Sequence, residues 1–233
     1  MIITIDGPAG AGKSTAARHL ASRLGFEFLD TGAMYRAVTL KALEQGVDRA
    51  SEAALAMLLE RTELRMPGGQ VILDGKDVSA AIRRPEVTEA SKAIADSPAV
   101  RSHLAKLQRE LAQGRNIVCE GRDQGTIVFP KAECKFFLTA DPAERARRRH
   151  HELLERGASI SLDDVRHSQE ARDQRDTRRT IAPMIPAPDA VLLDTTHLTL
   201  EQVLERMEQE VRRCQAGSKG SSSESATRSA TLS

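Results

Sequence analysis

Short apolar runs alternate along this chain with longer stretches of helical periodicity. The runs at 2–5, 26–29, 117–119, 135–139 and 190–194 are each bounded by polar or glycine-containing segments and predict core strands. Helical patterns lie between most of them. This βαβ alternation predicts an α/β protein with a five-stranded parallel sheet. After the first run, Ala17, Leu20, Ala21 and Leu24 recur at helical spacing between Ser14 and Leu24. The last helical pattern opens with Thr199-Leu200-Glu201-Gln202, a capping box, and Val203, Leu204, Met207 and Val211 then mark one face of a helix to about Arg213.

The stretch 62–83 breaks the scheme. Leu64-Arg65-Met66, Val71-Ile72-Leu73 and Lys76-Asp77-Val78 are separated by Pro67-Gly68-Gly69 and by Asp74-Gly75, and the second separator is a strong hairpin signal. The pattern predicts a small antiparallel sheet inserted at the edge of the core. Residues 84–113 return to helix. From Gly217 to Ser233 the chain has seven serines in seventeen residues and no apolar periodicity, which predicts a disordered tail.

Composition narrows the partners. A net charge of +1 offers no global basic field for nucleic acid or an anionic membrane. With no Trp, one Tyr and five Phe, stacking platforms for single-stranded nucleic acid are not expected either. Cys119, Cys134 and Cys214 are scattered and odd in number, which fits reduced thiols in a cytoplasmic protein. Cys119 and Cys134 fall in apolar runs and read as packing residues. The first apolar run stops at Asp6, unlike a signal peptide, and no stretch reaches the about 18 apolar residues of a membrane span.

The chemistry begins directly after the first run. Gly7-Pro8-Ala9-Gly10-Ala11-Gly12-Lys13-Ser14 is a complete G-x-x-x-x-G-K-[ST] phosphate-binding loop between a strand and a helix. Its glycines let backbone N–H groups approach a polyphosphate at the positive end of the following helix. Lys13 is expected on the β- and γ-phosphates, and Ser14 on Mg²⁺.

Four further clusters follow. Leu29-Asp30-Thr31-Gly32-Ala33-Met34-Tyr35-Arg36 reads as a strand end, a turn and a helix from about Ala33, with Arg36 placed to fork onto a phosphate. Ile117-Val118-Cys119-Glu120-Gly121-Arg122-Asp123-Gln124-Gly125 is a buried strand ending in charge. Ligands of open parallel sheets sit beyond the strands' carboxyl ends, so Asp6, Asp30 and Glu120 are expected to converge on one crevice. In Ala143-Glu144-Arg145-Ala146-Arg147-Arg148-Arg149-His150-His151 the arginines suit either a solvated helix or a flap that closes over transferring phosphates, and the flap is preferred. The histidine pair has no metal-ligand spacing with any cysteine. Finally, Arg172, Asp176 and Arg179 share a helix face at i, i+4 and i+7, which suits a phosphorylated sugar as well as a salt-bridged surface.

Taken together, Ile5 to Thr15, Leu29 to Arg36, Glu120 to Pro130 and Arg172 to Pro183 resemble the bacterial cytidylate kinase family of nucleoside monophosphate kinases. The resemblance spans residue 2 to about 212. It implies one domain, 1–216, made of a P-loop core, a monophosphate-binding insertion at about 33–113 and a mobile lid at about 145–165. It implies ATP-dependent, Mg²⁺-assisted phosphorylation of CMP and dCMP by a monomer. ATP would bind at Gly7, Pro8, Ala9, Gly10, Ala11, Gly12, Lys13, Ser14 and Thr15. Thr31, Asp123, Arg101 and Ser91 would contact cytosine, Arg36, Arg122 and Arg179 would hold the CMP phosphate, and Arg172 and Asp176 would meet the ribose. Lys13, Arg122 and Arg179 would carry the chemistry. Between Ser91 and Arg101 the chain is one residue longer than the family's common pattern, so Lys92 is the alternative to Ser91.

Rival readings are another small-substrate P-loop kinase, such as one acting on UMP or shikimate, and a nucleic-acid-dependent ATPase. A regulatory GTPase needs an N-K-x-D element to read guanine. The chain's single asparagine, in Arg115-Asn116-Ile117, excludes it.

Overall fold

Strands buried on both faces need a helical layer on each side, and consecutive strand residues then serve opposite layers. The computed structural model, which describes residues 1–155 and 157–227 with side chains through 216 in the last helix, follows this rule. Strands β1 (Ile2–Asp6) and β2 (Glu27–Asp30) precede the small strands β3 (Leu64–Arg65), β4 (Ile72–Leu73) and β5 (Lys76–Asp77). Strands β6 (Ile117–Glu120), β7 (Cys134–Thr139) and β8 (Val191–Asp194) complete the set. The helices are α1 (Lys13–Leu24), α2 (Thr31–Glu44), α3 (Glu52–Glu60), α4 (Pro85–Ile94), α5 (Pro98–Ala112), α6 (Pro142–Glu155), α7 (Leu162–Arg178) and α8 (Leu200–Thr227).

The main sheet is parallel, in the order β2-β6-β1-β7-β8. Ile117 and Cys119 of β6 pack into the layer of α2, α4 and α5, whereas Val118 faces the layer of α1 and α8 with Ile3, Ile5, Phe136 and Leu138. Register brings the strand ends level. Glu120 pairs with Asp30 on one side and with Ile5 on the other, so Asp6, Asp30 and Glu120 emerge at one edge, as their positions in the sequence imply. Strands β3, β4 and β5 form the expected separate antiparallel sheet, with β4 and β5 joined through Asp74-Gly75.

Local chemistry sets the helix limits. Helix α2 starts at Thr31, two residues before the expected Ala33, because Asp30 is its N-cap and accepts from the Ala33 N–H at 2.8 Å. The helical stretch 84–113 is two helices. Ser97 caps α5 and Pro98 occupies its first turn, which ends α4 beforehand. Thr199 and Gln202 form the reciprocal capping box, with Thr199 N–H to Gln202 Oε1 at 2.9 Å and Gln202 N–H to Thr199 Oγ1 at 3.2 Å. Helix α8 continues past Arg213 to Thr227. The tail expected at 217–233 falls beyond the described side chains, and 228–233 lie outside the described residues.

Leu204 and Met207 are fully buried on α8, in one cluster with Leu20 of α1 and Phe136 of the sheet. Met207→Ala removes most of that side chain from a closed core and is expected to cost about 2–5 kcal/mol of unfolding free energy. Denaturant titration measures this. A loss under about 0.5 kcal/mol would mean that α8 does not pack on the sheet.

Candidate active site

The loop after β1 is possible only because of its glycines. Gly7 adopts φ +136°, and a Cβ there would stand 2.0 Å from the Leu138 carbonyl oxygen. Gly12, at φ +83°, turns the chain into α1 from the left-handed region. Lys13 begins α1 and is buried, its Nζ donating to the Pro8 carbonyl at 2.7 Å. Burial first, and the charge of Arg122 second, hold its ammonium well below the ordinary lysine pKa. Ser14 Oγ donates to Glu120 Oε1 at 2.5 Å, so two hard oxygen donors stand together at the loop. Ala9 N–H, a loop donor, meets Asp173 Oδ1 at 3.2 Å.

Asp6, at the end of β1, accepts from Gln124 N–H at 2.9 Å and Gly125 N–H at 2.7 Å. Burial pushes its carboxyl up to about 6, against those two hydrogen bonds. Asp6 thereby fastens the phosphate-loop strand to the π-helical turn Gln124–Val128, which follows Arg122 and Asp123.

Arginines crowd the crevice. Asp176 is 2% exposed and is shared by three of them. Arg179 Nη2 lies 2.7 Å from Oδ1, Arg122 Nε 3.1 Å from Oδ2, and Arg172 Nε 3.9 Å from Oδ2. Arg179 Nε also reaches Asp96 at 2.7 Å. Arg36 adds a fourth charge. It lies 3.4 Å from Asp30, and its buried Nε has no hydrogen-bond partner. The consequence falls on Arg172, whose pKa is lowered to about 10, chiefly by the charge of Arg122, with Arg36 contributing. Asp176, Asp96 and Asp30 are three carboxylates for four guanidinium groups, so a surplus of positive charge remains.

Beside it lies a second, drier cluster. Arg101 of α5 donates to Asp123 Oδ2, and both side chains are buried. Arg101 also reaches the Ala95 carbonyl at 3.0 Å and lies 5.9 Å from the Tyr35 ring centroid. Thr31 Oγ1 donates to the Glu120 carbonyl at 2.6 Å.

Not every expected residue joins these clusters. Ser91 Oγ turns back to the Thr88 carbonyl within α4, and Lys92 pairs with Glu89. The arginines of α6 divide. Arg147 and Arg149 pair with Glu144 and Glu152, and Arg148 donates to the Thr195 and Thr196 carbonyls. Arg145 is buried, donating to the Ala9 carbonyl at 2.9 Å and to Asp173. The sequence missed Asp173 and Asp96, whose partners are 164 and 83 residues away and leave no local spacing.

Among the described residues no helix is long and apolar enough to cross a membrane.

The cytidylate kinase family model matches residues 3–213. A cytidylate kinase from Rhodopirellula baltica is 46% identical over 229 residues, covering 98% of this chain and 100% of that protein. One from Carboxydothermus hydrogenoformans is 47% identical over 211 residues, covering 89% of this chain and 95% of that protein. Among solved structures, an uncharacterized protein from Eubacterium ventriosum superposes with a TM-score of 0.50 at 10% identity, covering 90% of this chain and 96% of that one, a likeness of fold alone. With a P-loop kinase core and full-length relatives at this identity, the chain belongs to the cytidylate kinase family, whose members are ATP-dependent nucleoside monophosphate phosphotransferases.

Proposed function

We propose that this protein transfers the γ-phosphoryl group of ATP to CMP and dCMP, giving ADP with CDP or dCDP, as a cytoplasmic monomer. The observation that carries the reading is the surplus of positive charge around Asp176. A dianionic phosphate between Arg36, Arg122 and Arg179 offsets the positive charge left over where four guanidinium groups face Asp176, Asp96 and Asp30, and it gives the orphaned Arg36 Nε an acceptor, with Arg172 and Asp176 at the ribose. Lys13 and the loop N–H groups hold the donor phosphates on the other side. The acceptor phosphate is already ionised near neutral pH and needs no general base. One of its oxygens attacks the γ-phosphorus in line, and ADP leaves. The chain's contribution is alignment and charge neutralisation away from water.

The donor set fits Mg²⁺. Ser14 Oγ and the Glu120 carboxylate are adjacent hard oxygens, the ligand class that Mg²⁺ selects. Mg²⁺ bound there would add charge neutralisation at the transferring phosphates.

Base choice falls to Asp123 and Arg101. An ionised carboxylate only accepts and a guanidinium only donates. Cytosine offers an N4 amino donor next to N3 and O2 acceptors, so it matches both. Uracil reverses the first two positions and meets two mismatches.

ADP release by purified protein against CMP, dCMP, UMP, AMP, GMP and shikimate tests the assignment. CMP and dCMP are expected to lead, with UMP at least ~10²-fold lower in kcat/KM. Preference for any other acceptor refutes the reading.

Lys13→Ala is expected to abolish turnover while the circular dichroism spectrum stays native. Near wild-type turnover from folded protein would contradict the role of the loop.

Asp123→Asn breaks the buried pair with Arg101 and adds a donor that uracil O4 accepts. CMP activity is expected to fall and the CMP/UMP ratio to narrow. An equal loss on both substrates would mean that Asp123 orients Arg101 and does not read the base.

Residues 145–165 are expected to exchange amide protons rapidly in the free protein and slowly with both nucleotides bound. Equal protection in both states would exclude a closing lid.

A further inference from the structure

Asp123 is held from two sides, and only one of them touches its carboxylate. Its side chain pairs with Arg101. Its backbone starts the turn Gln124–Val128, where the Asp123 carbonyl accepts from Ile127 N–H at 2.9 Å and Val128 N–H at 3.2 Å. The near end of this turn is fixed by Asp6 through Gln124 and Gly125. The far end exposes the carbonyls of Ile127 and Val128. Both are taken by one residue, Arg109, whose Nε reaches Val128 O at 2.8 Å and whose Nη2 reaches Ile127 O at 2.9 Å.

Arg109 and Arg101 lie eight residues apart on α5, a little over two turns along one helix. The helix therefore grips the 123–128 segment twice, by its carboxylate and by its last two carbonyls. Arg109 is otherwise uncommitted, since no ion pair joins it to an acidic side chain among the described residues. Its side chain borders a cavity of about 630 Å³ that is also lined by Ile2, Asn116, Phe129 and Lys131. Ile2 and Asn116 mark the amino ends of β1 and β6, whereas the phosphate loop and Glu120 are at their carboxyl ends. Arg109 thus borders the end of the sheet opposite to the phosphate loop.

We infer that Arg109 is a positioning residue for base recognition: by forking onto the carbonyls of Ile127 and Val128 it sets the orientation of the turn, and through it the angle at which Asp123 faces the base. A fork suits this task because the planar guanidinium fixes two carbonyls at once, and a lysine ammonium does not impose that geometry. The inference rests on Asp123 reading cytosine.

The test compares wild type, Arg109→Lys and Arg109→Ala in steady-state kinetics with CMP, UMP and ATP, alongside thermal melts. In Arg109→Ala, KM for CMP is expected to rise about tenfold, equivalent to about 1.4 kcal/mol, and the CMP/UMP ratio in kcat/KM to fall by a similar factor. KM for ATP is expected to stay within about twofold. Arg109→Lys, which keeps the charge and the aliphatic stem and so preserves the exposed surface, is expected to recover melting temperature but only part of the CMP/UMP ratio. A wild-type enzyme without preference for CMP over UMP would overturn the base-reading assignment itself. A wild type that prefers CMP, with both variants keeping its full CMP/UMP ratio, would overturn the role of Arg109 alone. Equal losses on CMP and UMP that track the fall in melting temperature would likewise reduce Arg109 to a structural residue.

Discussion

Asp176 holds together charges that would otherwise drive the site apart. It is buried at the end of α7, and Arg122 from the segment after β6, Arg172 from its own helix and Arg179 just after it all converge on its two oxygens. Like charges this close repel, and Arg172, though half-exposed, has its pKa lowered chiefly by the charge of Arg122. Asp176, helped by Asp96 on Arg179, keeps the three arginines oriented without cancelling them. The site stays ordered yet remains short of negative charge, which is the condition for attracting a phosphate and for neutralising charge during transfer.

The parallel sheet makes this convergence possible. Because β2, β6 and β1 end in register, Asp30, Glu120 and Asp6 emerge together, each with a separate task. Asp30 caps α2 and meets Arg36, Glu120 takes the Ser14 hydroxyl, and Asp6 holds the turn that carries Asp123. The elevated pKa of Asp6 is the cost of burying a carboxylate with backbone donors as its direct partners. Three acids that look alike in the sequence thus differ in role because their neighbours come from different segments.

What the sequence made legible follows from the range of each interaction. The loop Gly7–Ser14, the five core strands and the Thr199–Gln202 capping box depend on neighbours within a few residues, and the structure bears each of them out. The i, i+4 spacing of Arg172 and Asp176 was visible for the same reason, whereas Arg179 is the C-cap of α7, at ψ 134°, and reaches Asp176 from beyond the helix and not from the i+7 position on its face. The tie from Arg145 to Ala9 crosses 136 residues, and the tie from Asp173 to Ala9 crosses 164. Such pairings carry no spacing signal, so the α6 arginines read as one flap although Arg145 is anchored to the phosphate loop. The turn Gln124–Val128 was hidden differently. Its backbone is held by Asp6 and Arg109, both distant in sequence, and its composition alone suggests an ordinary loop.

Dividing recognition between two helices has a mechanical consequence under the proposed reaction. Arg172 and Asp176 stand near the carboxyl end of α7, and the amino end of that helix, from Leu162, leads directly out of the segment expected to close. Phosphate capture and closure therefore act on one rigid rod. A phosphate that draws Arg179, the C-cap of α7, inward would also bias the segment before Leu162. Under the same reading base choice sits on α5, where Arg101 and Arg109 bind a turn fixed to β1 through Asp6, and α5 meets the end of α7 at the Arg179–Asp96 pair, one residue before its cap Ser97. In the proposed reaction, phosphate binding at the end of α7 would favour closure for any nucleoside monophosphate, whereas α5 would decide which base is aligned when closure occurs. Discrimination would then arise at the base contacts and become catalytic selectivity through the helix that the phosphate moves.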